Sequence, residues 1–168
     1  MEIYLVQHAE AKREEEDLER PLSEKGKDEA ERVAKALGTV GIRAEHIMHS
    51  GKLRAKQTAE IYSKHFGPSE VREMLGLAPN DNPKMAKEFL ESAKEPVMLV
   101  GHMPHLSRLA SFLITGNPEQ ETIQFHMGGA VCLIKDEKWK VKWALTPEIT
   151  PIPIDKLFPQ GSRRRTQG

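Results

Sequence analysis

Short apolar runs alternate with stretches whose apolar residues recur with helical spacing, and that alternation narrows the folds open to this chain more than any other feature. Ile3 to Val6 is a continuous apolar run with β-branched residues, which predicts a buried strand. Pro21-Leu22-Ser23 follows a charged stretch, Lys12 to Arg20, that reads as a solvated loop or a loose helical turn. Ser23 is a good N-cap, and Ala30, Val33, Ala34 and Leu37 then keep i, i+3, i+4, i+7 spacing up to Gly38 and Gly41. Ala44 to His49 predicts a second strand. From Lys52 a helix carries Ala55, Ala59, Tyr62 and Phe66 on one stripe, stopped by Gly67-Pro68. Val71 to Leu75 predicts a short strand, and Pro83 to Lys94 a helix with Met85, Phe89 and Ala93 on one side. Val97 to Val100 is another apolar strand, and Pro104 opens a helix through Leu106, Leu109, Ala110 and Leu113 to Gly116. Thr122 to Phe125, Ala130 to Ile134 and Trp139 to Leu145 predict strands with no helices between them, the last two joined at Asp136-Glu137-Lys138. Strands alternating with helices, then a terminal hairpin, predict one α/β domain with a mixed sheet over residues 1–150. Residues 151–168 read as an extended C-terminal tail.

The bulk numbers exclude several classes. With 168 residues and 38% hydrophobic content the chain fills one domain with a core, and a formal net charge of zero gives no global pull toward nucleic acid or anionic membranes. The Arg163 to Arg165 run reads as a solvated tail. No apolar run approaches the roughly 20 residues that cross a bilayer, and the first ten residues lack a signal-peptide pattern. The one cysteine, Cys132, lies in an apolar run and reads as a buried structural thiol in a reducing, cytoplasmic setting.

Three polar clusters stand at the carboxyl ends of predicted strands: Gln7-His8-Ala9-Glu10, Ser50-Gly51-Lys52-Leu53-Arg54 and Gly101-His102-Met103-Pro104. In open α/β sheets ligands bind beyond those ends. The second and third clusters also open helices, whose free N–H groups and partial positive charge favour an anion. Two histidines and an arginine there make phosphate the natural guest. The other histidines read as bland. His46 and His49 point to opposite strand faces, His102 and His105 have helical spacing without a third metal ligand, and His126 beside Met127-Gly128-Gly129 is a candidate to face the site. Trp139 and Trp143, four apart, fall on one face of a regular strand and read as packing residues.

Four pieces together carry a resemblance: Leu5-Val6-Gln7-His8-Ala9-Glu10-Ala11, Arg20-Pro21-Leu22-Ser23-Glu24-Lys25-Gly26, Ser50 through Ala59, and Val100-Gly101-His102-Met103-Pro104. The chain resembles the histidine phosphatase superfamily, and within it the small bacterial phosphohistidine phosphatases of the SixA type. The resemblance implies a phosphoglycerate-mutase-like fold, a three-layer α/β/α sandwich with a mixed, mostly parallel sheet. It also implies a covalent mechanism with no metal or organic cofactor. His8 would take a phosphoryl group and water would release it; Arg54 would clamp the phosphate oxygens, His102 would donate to them, and Ser50 and Gln7 would add contacts. Glu10 is the nearest carboxylate that could serve as general acid. The implied partner is a phosphohistidine-bearing protein, because the short chain has little room for the large lid of metabolite-phosphatase relatives.

One position departs from the family pattern. Gln7 stands where arginine normally precedes the nucleophilic histidine. A hydrogen bond to a charged group contributes roughly 1.5–3 kcal/mol, so losing one or two slows turnover by roughly tens- to thousands-fold. Less positive charge should also raise the His8 pKa. Three readings follow: a weak phosphatase in which Lys12, Lys52 or Arg108 supplies charge, a phosphate-binding protein without turnover, or a residue introduced at position 7 that traps a complex. A small-metabolite phosphatase is the rival within enzymes.

Overall fold

The computed structural model of the chain describes residues 1–67 and 69–157, except for the side chains of Ile154 and Asp155. Six strands form one sheet: β1 (Glu2–Gln7), β2 (His46–His49), β3 (Glu70–Glu73), β4 (Val97–Gly101), β5 (Ala130–Lys135) and β6 (Trp139–Leu145). Their order across the sheet is β3-β2-β4-β1-β5-β6, parallel from β3 to β1 and antiparallel at β5 and β6. Four helices cover it: α1 (Glu24–Thr39), α2 (Leu53–Ser63), α3 (Lys84–Ser92) and α4 (His105–Thr115).

Strand alternation sorts the core onto two faces. Tyr4, Val6, Ile47, Met98, Val100 and Cys132 pack with α1 and α2 residues on one side. Ile3, Leu5, Val97, Leu99, Val131 and Leu133 pack with α3 and α4 residues on the other. The result is the three-layer α/β/α sandwich that the resemblance implies, around the mixed sheet that the alternation of elements predicts. β1 and β4 are apolar on both faces because they are central and covered twice. Cys132 is buried, and burial pushes its thiol up to about 12.

Several expectations need correction. Thr122 to Phe125 is not a strand; the segment pairs with no strand of the sheet, and Ile123 and Phe125 pack into the core instead. On α3 the buried residues are Ala86 and Leu90, while Met85 is 53% exposed, so the packed face is turned about one residue from the predicted stripe. Trp139 and Trp143 lie on opposite faces. A bulge places Cys132 opposite Trp143 and Leu133 opposite Val141, and the extra residue, Lys142, breaks the alternation between the two tryptophans. The tail includes a helical turn, α5 (Ile154–Leu157), where extended chain is predicted. Pro68 and residues 158–168, with the Arg163 to Arg165 run, lie outside the described residues. No described helix is long and apolar enough to cross a membrane.

Candidate active site

The sheet order does the first part of the assembly. β2, β4 and β1 are consecutive neighbours, so the chain emerging from each reaches one rim of the sheet. Those three ends carry Ser50, His102 and Gln7-His8. Strands lie about 4.8 Å apart, so residues nearly a hundred positions apart in sequence become side-by-side neighbours. The His8 amide donates to the Gly101 carbonyl at 3.0 Å, extending the β1–β4 ladder by one step. The His8 and His102 rings then lie 4.9 Å apart, centroid to centroid.

His8 is held in one protonation state by two causes. Its Nδ1 lies 2.7 Å from the Ala9 carbonyl oxygen. A carbonyl can only accept, so Nδ1 carries the hydrogen and Nε2 keeps its lone pair. Burial, reinforced by the charges of Arg54 and Arg20 and opposed by the Ala9 bond, lowers the His8 pKa to about 4. Burial is the largest of these causes, and with Gln7 in place His8 is neutral at pH 7. His102 is 1% exposed and lowered to about 3, first by burial, then by His8, Arg54, Lys52 and His105. Its Nε2 meets the Ser50 hydroxyl at 2.6 Å, and its Nδ1 is buried without a protein partner.

Arg54 sits in the first turn of α2. Its Nε is buried without a hydrogen-bond partner, and among the described residues no carboxylate pairs with its guanidinium. Burial and Arg20 both disfavour its charged form. A partly buried cation with no carboxylate partner, acting on two neutral imidazoles, attracts an anion.

The remaining predicted residues divide. Gln7 ends β1, and its carbonyl accepts from the Gly128 amide at 3.0 Å. Glu10 is engaged elsewhere: one carboxylate oxygen accepts from Ser23 Oγ at 2.8 Å and the other lies 3.6 Å from Lys25. It serves the start of α1. Of the cations named from sequence, Lys52 acts on His102, whereas Arg108 pairs with Glu119 at 3.0 Å and Lys12 is exposed. His126 lies 3.9 Å from Glu148. His46 meets Glu70 and Glu95, and His49 accepts from the Gly51 amide at 3.0 Å.

Sequence reasoning missed Arg20, whose charge acts on both His8 and Arg54. A bridge between Ala11 and Leu22 and a Lys12-to-Pro21 hydrogen bond of 2.8 Å pinch the base of the 12–20 loop. Arg20 stands at that neck with φ of +50°, a conformation that costs a non-glycine residue roughly 1–3 kcal/mol, and its Nε donates to the Lys12 carbonyl at 3.1 Å. Two more residues went unnoticed inside the Leu-Arg-Ala-Lys-Gln-Thr run. Gln57 Oε1 accepts from the Leu22 amide at 2.7 Å, and Thr58 Oγ1 accepts from the Ala9 amide at 3.0 Å. Both clip α2 to the chain around His8 and Arg20.

Comparison with known proteins agrees with this arrangement. The model of the histidine phosphatase superfamily (branch 1) matches residues 3–95, a span that holds His8 and Arg54 and ends before His102. An uncharacterized protein of Picosynechococcus sp. is 35% identical over 124 residues, 69% of this chain and 74% of that one. The protein histidine phosphatase SixA, solved in complex with tungstate, shares the fold with a TM-score of 0.76 and 24% identity, over 88% of this chain and 97% of that one. A phosphoserine phosphatase from Entamoeba histolytica superposes with a TM-score of 0.64 and 14% identity, over 85% of this chain and 95% of that one. With more than half of its length matched by the family model, and with His8 and Arg54 inside the match, this chain belongs to the histidine phosphatase superfamily.

Proposed function

We propose that the chain is a phosphohistidine phosphatase that acts on a phosphorylated protein through a covalent intermediate on His8. One observation carries the reading. A neutral imidazole with its Nε2 lone pair free lies 4.9 Å from a second buried imidazole, and the unpaired guanidinium of Arg54 acts on both.

In the first step the His8 Nε2 lone pair forms a bond to phosphorus as the bond from phosphorus to the leaving imidazole breaks. Arg54, His102 and Ser50 hold the phosphoryl oxygens, and Gln7 adds an uncharged donor. In the second step water attacks phosphorus, the phosphorus–nitrogen bond to His8 breaks, and orthophosphate leaves. Splitting the displacement in two avoids one difficult transition state, and the fixed donors stabilise charge that moves onto the equatorial oxygens. The commitment of Glu10 to Ser23 and Lys25 favours this substrate over an alkyl phosphate. An imidazole leaves with little help from an acid, whereas an alkoxide needs a proton.

Arg20 answers the question that Gln7 raises. Its charge acts on both His8 and Arg54 from a different segment, and a second positive charge felt there supports a working enzyme over an inert binding module. The second reading is a small-metabolite phosphatase, favoured by the fold shared with the phosphoserine phosphatase. The single buried cysteine fits a cytoplasmic, reducing setting for either.

The test compares the natural chain with Gln7→Arg and His8→Ala variants on a phosphohistidine-bearing phosphotransfer protein and on phosphoserine. The expected result is turnover of the phosphoprotein by the natural chain and none by His8→Ala. If the natural chain and His8→Ala are equally inactive while Gln7→Arg works, the catalytic reading fails. Preference for phosphoserine would move the chain to the second reading.

A further inference from the structure

Thr58 is fully buried on α2, yet its hydroxyl is bonded on both sides. It donates to the Arg54 carbonyl at 2.8 Å and accepts from the Ala9 amide at 3.0 Å. The directions are unambiguous, because a carbonyl only accepts and an amide N–H only donates. The Ala9 carbonyl in turn accepts from His8 Nδ1 at 2.7 Å. A continuous path thus runs from the backbone of the phosphate-clamping residue, through one hydroxyl, to the residue whose carbonyl sets the tautomer of the nucleophile.

We infer that Thr58 is a positioning residue that holds His8 in the Nδ1–H tautomer and so keeps the Nε2 lone pair available for attack on phosphorus. The inference rests on the nucleophile reading of His8.

The backbone on either side of His8 explains why one hydroxyl suffices. The peptide before His8 is pinned by its amide to Gly101, and the peptide after it is pinned by the Ala9 amide to Thr58. Those two bonds fix the planes before and after His8; the Ala9 carbonyl lies in the next plane, one backbone rotation from the Thr58 bond, and meets Nδ1 in a contact between adjacent residues that leaves little slack. Ala9 is fully buried, and a Cβ added at Gly128 would meet the Ala9 Cβ at 3.6 Å, so that residue is packed as well as bonded. A side chain of the same shape without the hydroxyl would leave a buried N–H unsatisfied. The Ala9 segment would then relax toward another acceptor, and the Nδ1–H bond would loosen. An unconstrained neutral imidazole divides between two tautomers, one of which has its lone pair on the wrong nitrogen.

The test is nitrogen-resolved NMR of the histidine side chains at pH 7.5 in the full chain, with steady-state kinetics on the phosphohistidine-bearing protein alongside. His8 should show a protonated Nδ1 and an unprotonated Nε2 in the natural chain and in Thr58→Ser, which keeps the hydroxyl. Thr58→Val should show a mixture of tautomers, with kcat reduced about tenfold, the scale of one lost hydrogen bond, and KM within about twofold. Thr58→Ala, smaller and free of any steric conflict, is read in the same way should the valine variant not fold. A single Nδ1–H tautomer in a folded variant without the hydroxyl overturns the inference, as does an equal loss of activity in Thr58→Ser. The NMR measurement involves no substrate, so it decides the role of Thr58 even if His8 proves not to be the nucleophile.

Discussion

At position 7 a neutral amide stands where the family pattern has arginine, and the second arginine charge acting on His8 is that of Arg20. If the two positions are alternative sources of the same charge, their substitutions are coupled. Arg20→Ala should lower kcat/KM by roughly tens- to hundreds-fold, the equivalent of one or two charge-assisted hydrogen bonds. In a Gln7→Arg background the same substitution should cost about tenfold less, and a double-mutant cycle measures the difference. Additive effects would show that Arg20 acts on something other than the phosphoryl group. His8, Arg54 and His102 were legible in the sequence because each lies just beyond an apolar strand, within a short run of turn and helix-starting residues. Arg20 was not, because its placement depends on a positive φ and on hydrogen bonds that pinch a charged loop, and neither leaves a compositional mark. Thr58 and Gln57 were hidden for another reason: within a helical run their polar side chains look like solvated positions, and only the fold shows that backbone amides meet them.

The elements that frame the pocket are held by close approach as much as by apolar burial. Ser23 caps α1 by accepting from the Gly26 amide, and the first turn packs so tightly on the Glu10 backbone that a Cβ on Gly26 would lie 2.1 Å from the Glu10 carbonyl oxygen. The obstacle is backbone, so it cannot rotate away. Gly26→Ala should therefore destabilise the fold by about 1–3 kcal/mol, the usual cost of overpacking. It should also lower activity by displacing the segment that follows His8. Denaturant unfolding with a parallel assay checks both; a variant with unchanged midpoint and unchanged turnover would show that the contact is loose. Element types were legible for the central strands and for α1, α2 and α4, where apolar period and capping residues agree. They were not legible where the outcome depends on sheet topology. Residues 122–125 have strand-like composition but lie outside the sheet with their apolar side chains in the core, and the tryptophans of β6 change faces because of a bulge that no residue type announces.

Across the described residues, four histidines whose protonation the fold resists, His8, His49, His102 and His105, tie stability to pH, His8 and His102 most strongly. In the unfolded chain each takes up a proton near pH 6.5, whereas in the folded chain His8 and His102 resist protonation down to about 4 and about 3. Between those values the unfolded state binds more protons, so stability is fully present above about pH 6.5 and falls as pH drops toward 4. Thermal unfolding from pH 8 to pH 4.5 should show that decline, and His8→Ala should show a shallower one. Orthophosphate should raise the Tm of the natural chain at neutral pH, because a ligand that binds only the folded state stabilises it by mass action. The rise should be much smaller in Arg54→Ala; equal rises would place phosphate elsewhere. The α/β class and the mixed sheet were legible from alternation and the terminal hairpin, while the three-layer arrangement came from the resemblance. The adjacency of β2, β4 and β1, which brings three distant segments to one rim of the sheet, came from the structure. The most direct test of the account is a rapid quench of the natural chain with a phosphohistidine-bearing protein, followed by mass spectrometry under alkaline conditions that preserve the phosphorus–nitrogen bond. The account predicts a phosphoryl group on the peptide containing His8, absent from the His8→Ala variant. Turnover with no phosphoryl group on His8, or persisting in His8→Ala, would contradict it.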